Sequence, residues 1–110
     1  MKASEVPSQY NGASILTDNL AERSNKPALL CAAREMTFGE VAGEASQVAH
    51  ALGQSGAGQG DHVGILAADS PEWVATFFGT LMMGGVAVGL NTLLSKSDYT
   101  FIRQSSMMKV

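Results

Sequence analysis

The residues able to do chemistry in this sequence are few and scattered. Cys31 is the single cysteine. It sits in the apolar run Ala28-Leu29-Leu30-Cys31-Ala32-Ala33, a setting for a buried, inert thiol rather than a nucleophile. His50 falls beside a helical apolar stripe, with no cysteine, second histidine or paired carboxylate near it, and so reads as a boundary residue rather than a metal ligand or acid–base group. Glu40 and Glu44 lie four apart on one helix, but capping accounts for Glu40 and solvent exposure for Glu44. Gly56, Gly58 and Gly60 alternate in a stretch rich enough in glycine to suggest a phosphate loop. A phosphate cradle, however, follows a strand and opens a helix whose free amides face the anion. The stretch from Gly53 to Gly60 follows a helix and leads into a strand, so it is a helix stop and connecting turn. The loop with the right orientation, Ala68-Asp69-Ser70, has neither a glycine cradle nor a lysine. With no Ser-His-Asp set, metal-ligand spacing or carboxylate pair in an evident cleft, no catalytic, cofactor-binding or metal-binding residue is assigned.

The stretch from His62 to Leu94 is what the rest must pack against. His62 to Ala68 is a nearly continuous apolar run, the pattern of a strand buried on both faces. Ser70-Pro71-Glu72 then opens a helix: serine accepts from a first-turn amide, proline surrenders an amide that has no partner, and glutamate meets the positive end of the dipole. Apolar residues on nearly every face from Trp73 to Met83 imply a helix covered on most sides, stopped by Gly84-Gly85. Val86 to Leu90 resumes as a strand, and a strand, helix and strand in this order make a parallel, right-handed crossover. The uncharged run from Trp73 to Leu94 is long enough to raise a membrane reading. Gly79, Gly84-Gly85, Gly89, Thr76, Thr80 and Asn91-Thr92 argue against a continuous apolar span.

Elsewhere the elements are shorter. Residues 1–13 form an irregular lead-in without the apolar core of a signal peptide. Ile15, Leu16, Leu20 and Ala21 recur at helical spacing over 14–23, ending at Ser24-Asn25-Lys26-Pro27. Ala28 to Ala33 reads as a strand, with Arg34-Glu35 as a polar turn to a second short strand. Thr37-Phe38-Gly39-Glu40 has the form of a capping box. The helix behind it carries the clearest stripe in the sequence: Phe38, Val41, Ala42, Ala45, Val48, Ala49 and Leu52. Ser95 to Asp98 can cap a helix over 96–105, and Met107 to Val110 reads as the start of a further strand, so the architecture is expected to be cut partway through. The chain has 110 residues and a formal charge of −3, enough for one domain with a core and without the basic stripe of a nucleic-acid partner. The lone cysteine gives no sign of an oxidising compartment, which leaves a cytoplasmic location as the expectation.

The order of these motifs resembles the N-terminus of the acyl-adenylate-forming enzymes, the superfamily of acyl-CoA synthetases, peptide-synthetase adenylation domains and luciferases. The matching residues are Asn19-Leu20-Ala21-Glu22-Arg23, Lys26-Pro27-Ala28-Leu29, Thr37-Phe38-Gly39-Glu40-Val41-Ala42, Val48-Ala49-His50-Ala51-Leu52, Gly58-Gln59-Gly60-Asp61-His62-Val63, Asp69-Ser70-Pro71-Glu72-Trp73, Val86-Ala87-Val88-Gly89-Leu90-Asn91 and Asp98-Tyr99. Asn11 to Leu20 and Leu90 to Ser95 look most like the benzoate-CoA and hydroxybenzoate-CoA ligase branch. Gly89 and His62 depart from that pattern, which commonly has proline and arginine there.

The resemblance implies an α/β fold: a partial, mainly parallel sheet with flanking helices, here a truncated N-terminal subdomain over 14–110. For the parent protein it implies ATP, Mg2+ and CoA as cofactors and an aromatic or other carboxylic acid as substrate. The acid would attack the α-phosphate of ATP, and the CoA thiol would then displace AMP. The phosphate loop, the acidic ATP- and ribose-binding residues, the hinge and the catalytic lysine of that family all lie beyond the matched region. The fragment is therefore expected to be inactive, to need no cofactor itself, to bind neither nucleic acid nor membrane, and to self-associate through Met107, Met108 and Val110. A free-standing, non-catalytic α/β interaction module is the alternative.

Overall fold

The computed structural model describes residues 3–110, so the first two residues of the lead-in lie outside it. After a short 3-10 turn at Ala3–Glu5, the elements are α1 (Ser14–Thr17), α2 (Leu20–Arg23), β1 (Pro27–Cys31), β2 (Arg34–Thr37), α3 (Phe38–Gln54), β3 (His62–Ile65), α4 (Pro71–Met82), β4 (Val86–Gly89) and α5 (Lys96–Ser105). Helices and strands form a mixed α/β unit whose sheet is split in two. β1 and β2 pair antiparallel, whereas β3 and β4 pair parallel with His62 opposite Val86 and Ile65 opposite Gly89.

The three long helices start where their side chains cap them. Thr37 Oγ1 accepts from the Glu40 amide while Glu40 accepts from the Thr37 amide, each at 3.2 Å. Ser95 and Asp98 make the same reciprocal box on α5, and Ser70 Oγ accepts from the Trp73 amide on α4. Each cap satisfies amides that the first helical turn leaves without partners.

The stripe of α3 meets the structure as expected: Val41, Ala42 and Ala45 are buried with Leu16 and Met36, and Phe38, Val74, Phe78 and Met82 pack around them. A second cluster joins Leu52, Ala57 and Val63 to Val48 and Met83. The seam between α3 and α4 is tight because Gly79 has no side chain. A Cβ there would lie 2.7 Å from the Ala45 carbonyl oxygen.

Several expectations change. The helix over 14–23 is two short helices, with Asp18 and Asn19 between them. The hairpin turns at Ala32-Ala33 rather than Arg34-Glu35, with Ala32 in the left-handed region at φ 50°. The helix α4 is covered on most sides, as expected: Pro71, Ala75, Gly79 and Thr80 are buried, and of the rest only Glu72 is exposed. β3 is shorter than its apolar run, and Leu66, just past its end, is exposed. A sheet this narrow leaves part of each apolar run without a neighbour. No helix among the described residues is long and apolar enough to cross a membrane.

The C-terminal run starts a further strand, as expected. Met108 to Val110 lies along the free side of β3, parallel to it, with Lys109 N–H donating to His62 O and Gly64 N–H to Val110 O, both at 2.8 Å. Met108 Sδ fills the space where Gly64 lacks a side chain. His62 Nδ1 lies 2.5 Å from the Ser106 carbonyl oxygen, and Lys109 Nζ lies 3.4 Å from Asp61, tying the end of α5 to the start of β3.

Candidate functional site

Open α/β sheets place ligands at the carboxyl ends of their parallel strands. Here that position is a cleft of about 460 Å³ beyond β3 and β4, lined by Ala67, Ala68, Asp69, Trp73, Gly89, Leu90, Asn91 and Thr92. Strand β3 delivers Asp69 and Ser70, β4 delivers Asn91, and the first turn of α4 supplies Trp73. The indole of Trp73 stacks on Phe77, with centroids 5.4 Å apart and planes 11° from parallel. The ring lies over Gly89, where a Cβ would sit 3.4 Å from it, within ordinary contact distance.

Two polar side chains at the cleft, Ser70 and Asn91, are engaged by local structure. Ser70 Oγ accepts from the Trp73 amide at 3.2 Å and donates to Ala68 O at 3.0 Å. Asn91 Oδ1 accepts from the Leu93 amide, and the Asn91 carbonyl accepts from the Tyr99 hydroxyl at 2.6 Å. The start of α4 is equally closed to an anion: Ser70 takes one amide, Pro71 has none, and Glu72 adds a negative charge. Arg34 pairs with Glu72 at 2.5 Å, and this hydrogen bond is the main reason the Glu72 carboxyl titrates below its ordinary range.

The other residues weighed for chemistry are dispersed. Cys31 is half-buried at the end of β1, and His50 is exposed on α3. Glu40 caps α3. Glu44 is half-buried, not exposed as expected, and lines the groove between α3 and α4 with Val48, Glu72 and Thr76. The helix α3 runs through Gly53 to Gln54, and the connector behind it behaves as a turn, with Gly56 and Gly60 at positive φ and the Gly58 amide donating to Asp61 Oδ2 at 2.7 Å. That bond, followed by the nearby Lys109, lowers the Asp61 pKa. No group of three or more metal-ligating side chains forms among the described residues.

A family model described as AMP-binding enzyme matches residues 16–110. The chain belongs to that family. Among curated relatives, the 3-hydroxybenzoate/4-hydroxybenzoate–CoA ligase of Thauera aromatica is 39% identical over 95 residues, a match covering 86% of this chain and 18% of that protein. The benzoate–CoA ligase of the same organism is 31% identical over 98% of this chain and 21% of its own length. The crystal structure of the anthranilate CoA ligase AuaEII in complex with anthranoyl-AMP superposes with a TM-score of 0.92 and 47% identity, covering 99% of this chain and 21% of that one. The chain thus spans about a fifth of the length of these relatives and corresponds to the N-terminal part of AMP-binding CoA ligases.

Proposed function

We propose that this chain is the N-terminal scaffold of an AMP-forming ligase that joins an aromatic carboxylic acid to CoA, and that the 110 residues alone have no such activity. The observation that carries the reading is the 47% identity to an anthranilate CoA ligase over 99% of the chain. By comparison, a long-chain fatty acid–CoA ligase of Bacillus subtilis shares 28% identity over 88% of the chain. The scaffold role is supported by the dispersal of Cys31, at the end of β1, and of Glu40, Glu44 and His50, spread along α3.

The test expresses the full reading frame that contains these residues and follows acid-dependent exchange of pyrophosphate into ATP, then thioester formation with CoA. Benzoate, the hydroxybenzoates and anthranilate are compared with a long-chain fatty acid. Exchange with an aryl acid, and none from the 110-residue chain, is the expected result. Preference for the fatty acid would overturn the substrate class, and acid-dependent exchange by the short chain after rigorous purification would overturn its inactivity.

A further inference from the structure

We propose that the segment from Asn11 to Asn19 is a strap over the C-terminal end of α4, latched by the Asn11 side chain, and that it opens as a unit while the rest of the chain stays folded. From Ala13 to Asn19 every backbone amide donates to an acceptor within residues 11–16, so the segment satisfies its own backbone around α1. A helix of four residues does not hold without tertiary contacts. Those contacts are few: Ala13 and Leu16 are buried, Leu16 in the cluster of Met36, Val41, Ala42 and Ala45, while Ile15 is 58% exposed. One polar bond then fixes the segment to a distant element. Asn11 Nδ2–H donates to Leu81 O at 2.7 Å, 70 residues along the chain.

Both neighbours of the latch call for an amide side chain. Leu81 lies in the last turn of α4, where carbonyls lack intrahelical partners, and its oxygen accepts from the Gly84 amide at 3.0 Å with its second lone pair left for Asn11. Asn11 Oδ1 accepts in turn from the Ala13 amide at 2.8 Å. A carbonyl only accepts and a backbone amide only donates, so these two groups fix which way the Asn11 amide faces. Gly12 lets the segment come close, as Leu81 Cδ1 lies 2.9 Å from the place a Cβ would take. All partners of the latch lie within residues 11–84, so it does not depend on polypeptide outside this chain.

Hydrogen exchange at single amides in low urea tests this. The Leu16, Thr17 and Asp18 amides of the strap should exchange through an opening with a shallower urea dependence than the Val86 and Leu90 amides, which bond Asp61 O and Ile65 O in the parallel ladder. Asn11→Ala should speed exchange of the strap amides about fivefold or more. Ser70→Ala weakens α4 in the open and the latched forms alike, so it should speed the ladder amides and leave the strap amides at parent rates. Asn11→Asp keeps the acceptor for Ala13 but at neutral pH gives Leu81 no donor and sets a negative charge at the negative end of α4. Its deficit against the parent should match or exceed that of Asn11→Ala at pH 7 and shrink below about pH 4, where the protonated carboxyl regains a donor. Strap amides with the urea slope of the ladder amides, no speeding in Asn11→Ala, or a deficit in Asn11→Asp that ignores pH would overturn the proposal. So would a chain that fails to fold in Asn11→Ala, since the latch holds only its own segment.

Discussion

Replacing Gly79 by alanine should destabilise the chain even though alanine is the better helix former. At an exposed mid-helix site this exchange is worth about 1 kcal/mol in favour of alanine. At Gly79 the new Cβ would lie 2.7 Å from the Ala45 carbonyl oxygen, 2.9 Å from Val48 Cβ and 3.0 Å from Val48 Cγ1. The oxygen belongs to the backbone of α3 and cannot rotate aside, so the two helices must separate by roughly half an ångström, loosening the dispersion contacts of the whole seam. Overpacking of this kind costs about 1–3 kcal/mol. Because the contact is with backbone and the seam holds Val41, Ala42, Ala45 and Ala75, the upper part of that range applies. Subtracting the propensity gain leaves a net loss of about 1–2 kcal/mol. Gly43 supplies the control within the same helix pair. It is exposed on α3, with no atom within 4 Å of the position a Cβ would take, so Gly43→Ala should stabilise by about 0.5–1 kcal/mol. Urea unfolding followed by circular dichroism measures both, read from the midpoint at constant slope. Gly79→Ala at or above the parent stability would refute the close-packing argument, and so would equal shifts for the two variants.

Ser70→Ala removes the acceptor for the Trp73 amide and should cost about 1 kcal/mol of stability in the same assay. Asp61, Glu72 and Asp98 all titrate below their ordinary values, through the Gly58 amide, Arg34 and Ser95 respectively. A carboxyl with a depressed folded pKa contributes stability that is present above the unfolded value and lost as pH falls through the folded one. The urea midpoint should therefore hold at neutral pH and drop below about pH 4, with a shallower acid limb in Asp61→Asn. Gly64→Ala should expel Met108 from the notch beside β3, and hydrogen exchange should show the Lys109 amide losing protection while the β4 amides keep theirs.

What was legible in the sequence is what is decided within a turn or two of chain. The starts of α3, α4 and α5 were readable because Thr37 with Glu40, Ser70 with Pro71, and Ser95 with Asp98 satisfy the needs of the first helical turn locally, whatever surrounds them. The stripe of α3 and the parallel pairing of β3 with β4 followed from periodicity and from the order strand, helix, strand.

Tertiary structure decided what depends on partners distant in the chain. No local pattern announces that Lys109 will bond His62, that Gly79 will admit the Ala45 carbonyl, or that Glu44 will be half-buried beside α4. Nor does the apolar run at Leu66 reveal that the sheet ends before it. Apolar sequence fixes a preference for burial, but the number of neighbouring strands and helices fixes how much of it is met. The C-terminal run finds its place for the same reason: a strand's neighbour is set by what lies next to it in space, and His62 of β3 finds that neighbour in Met108, far along the chain.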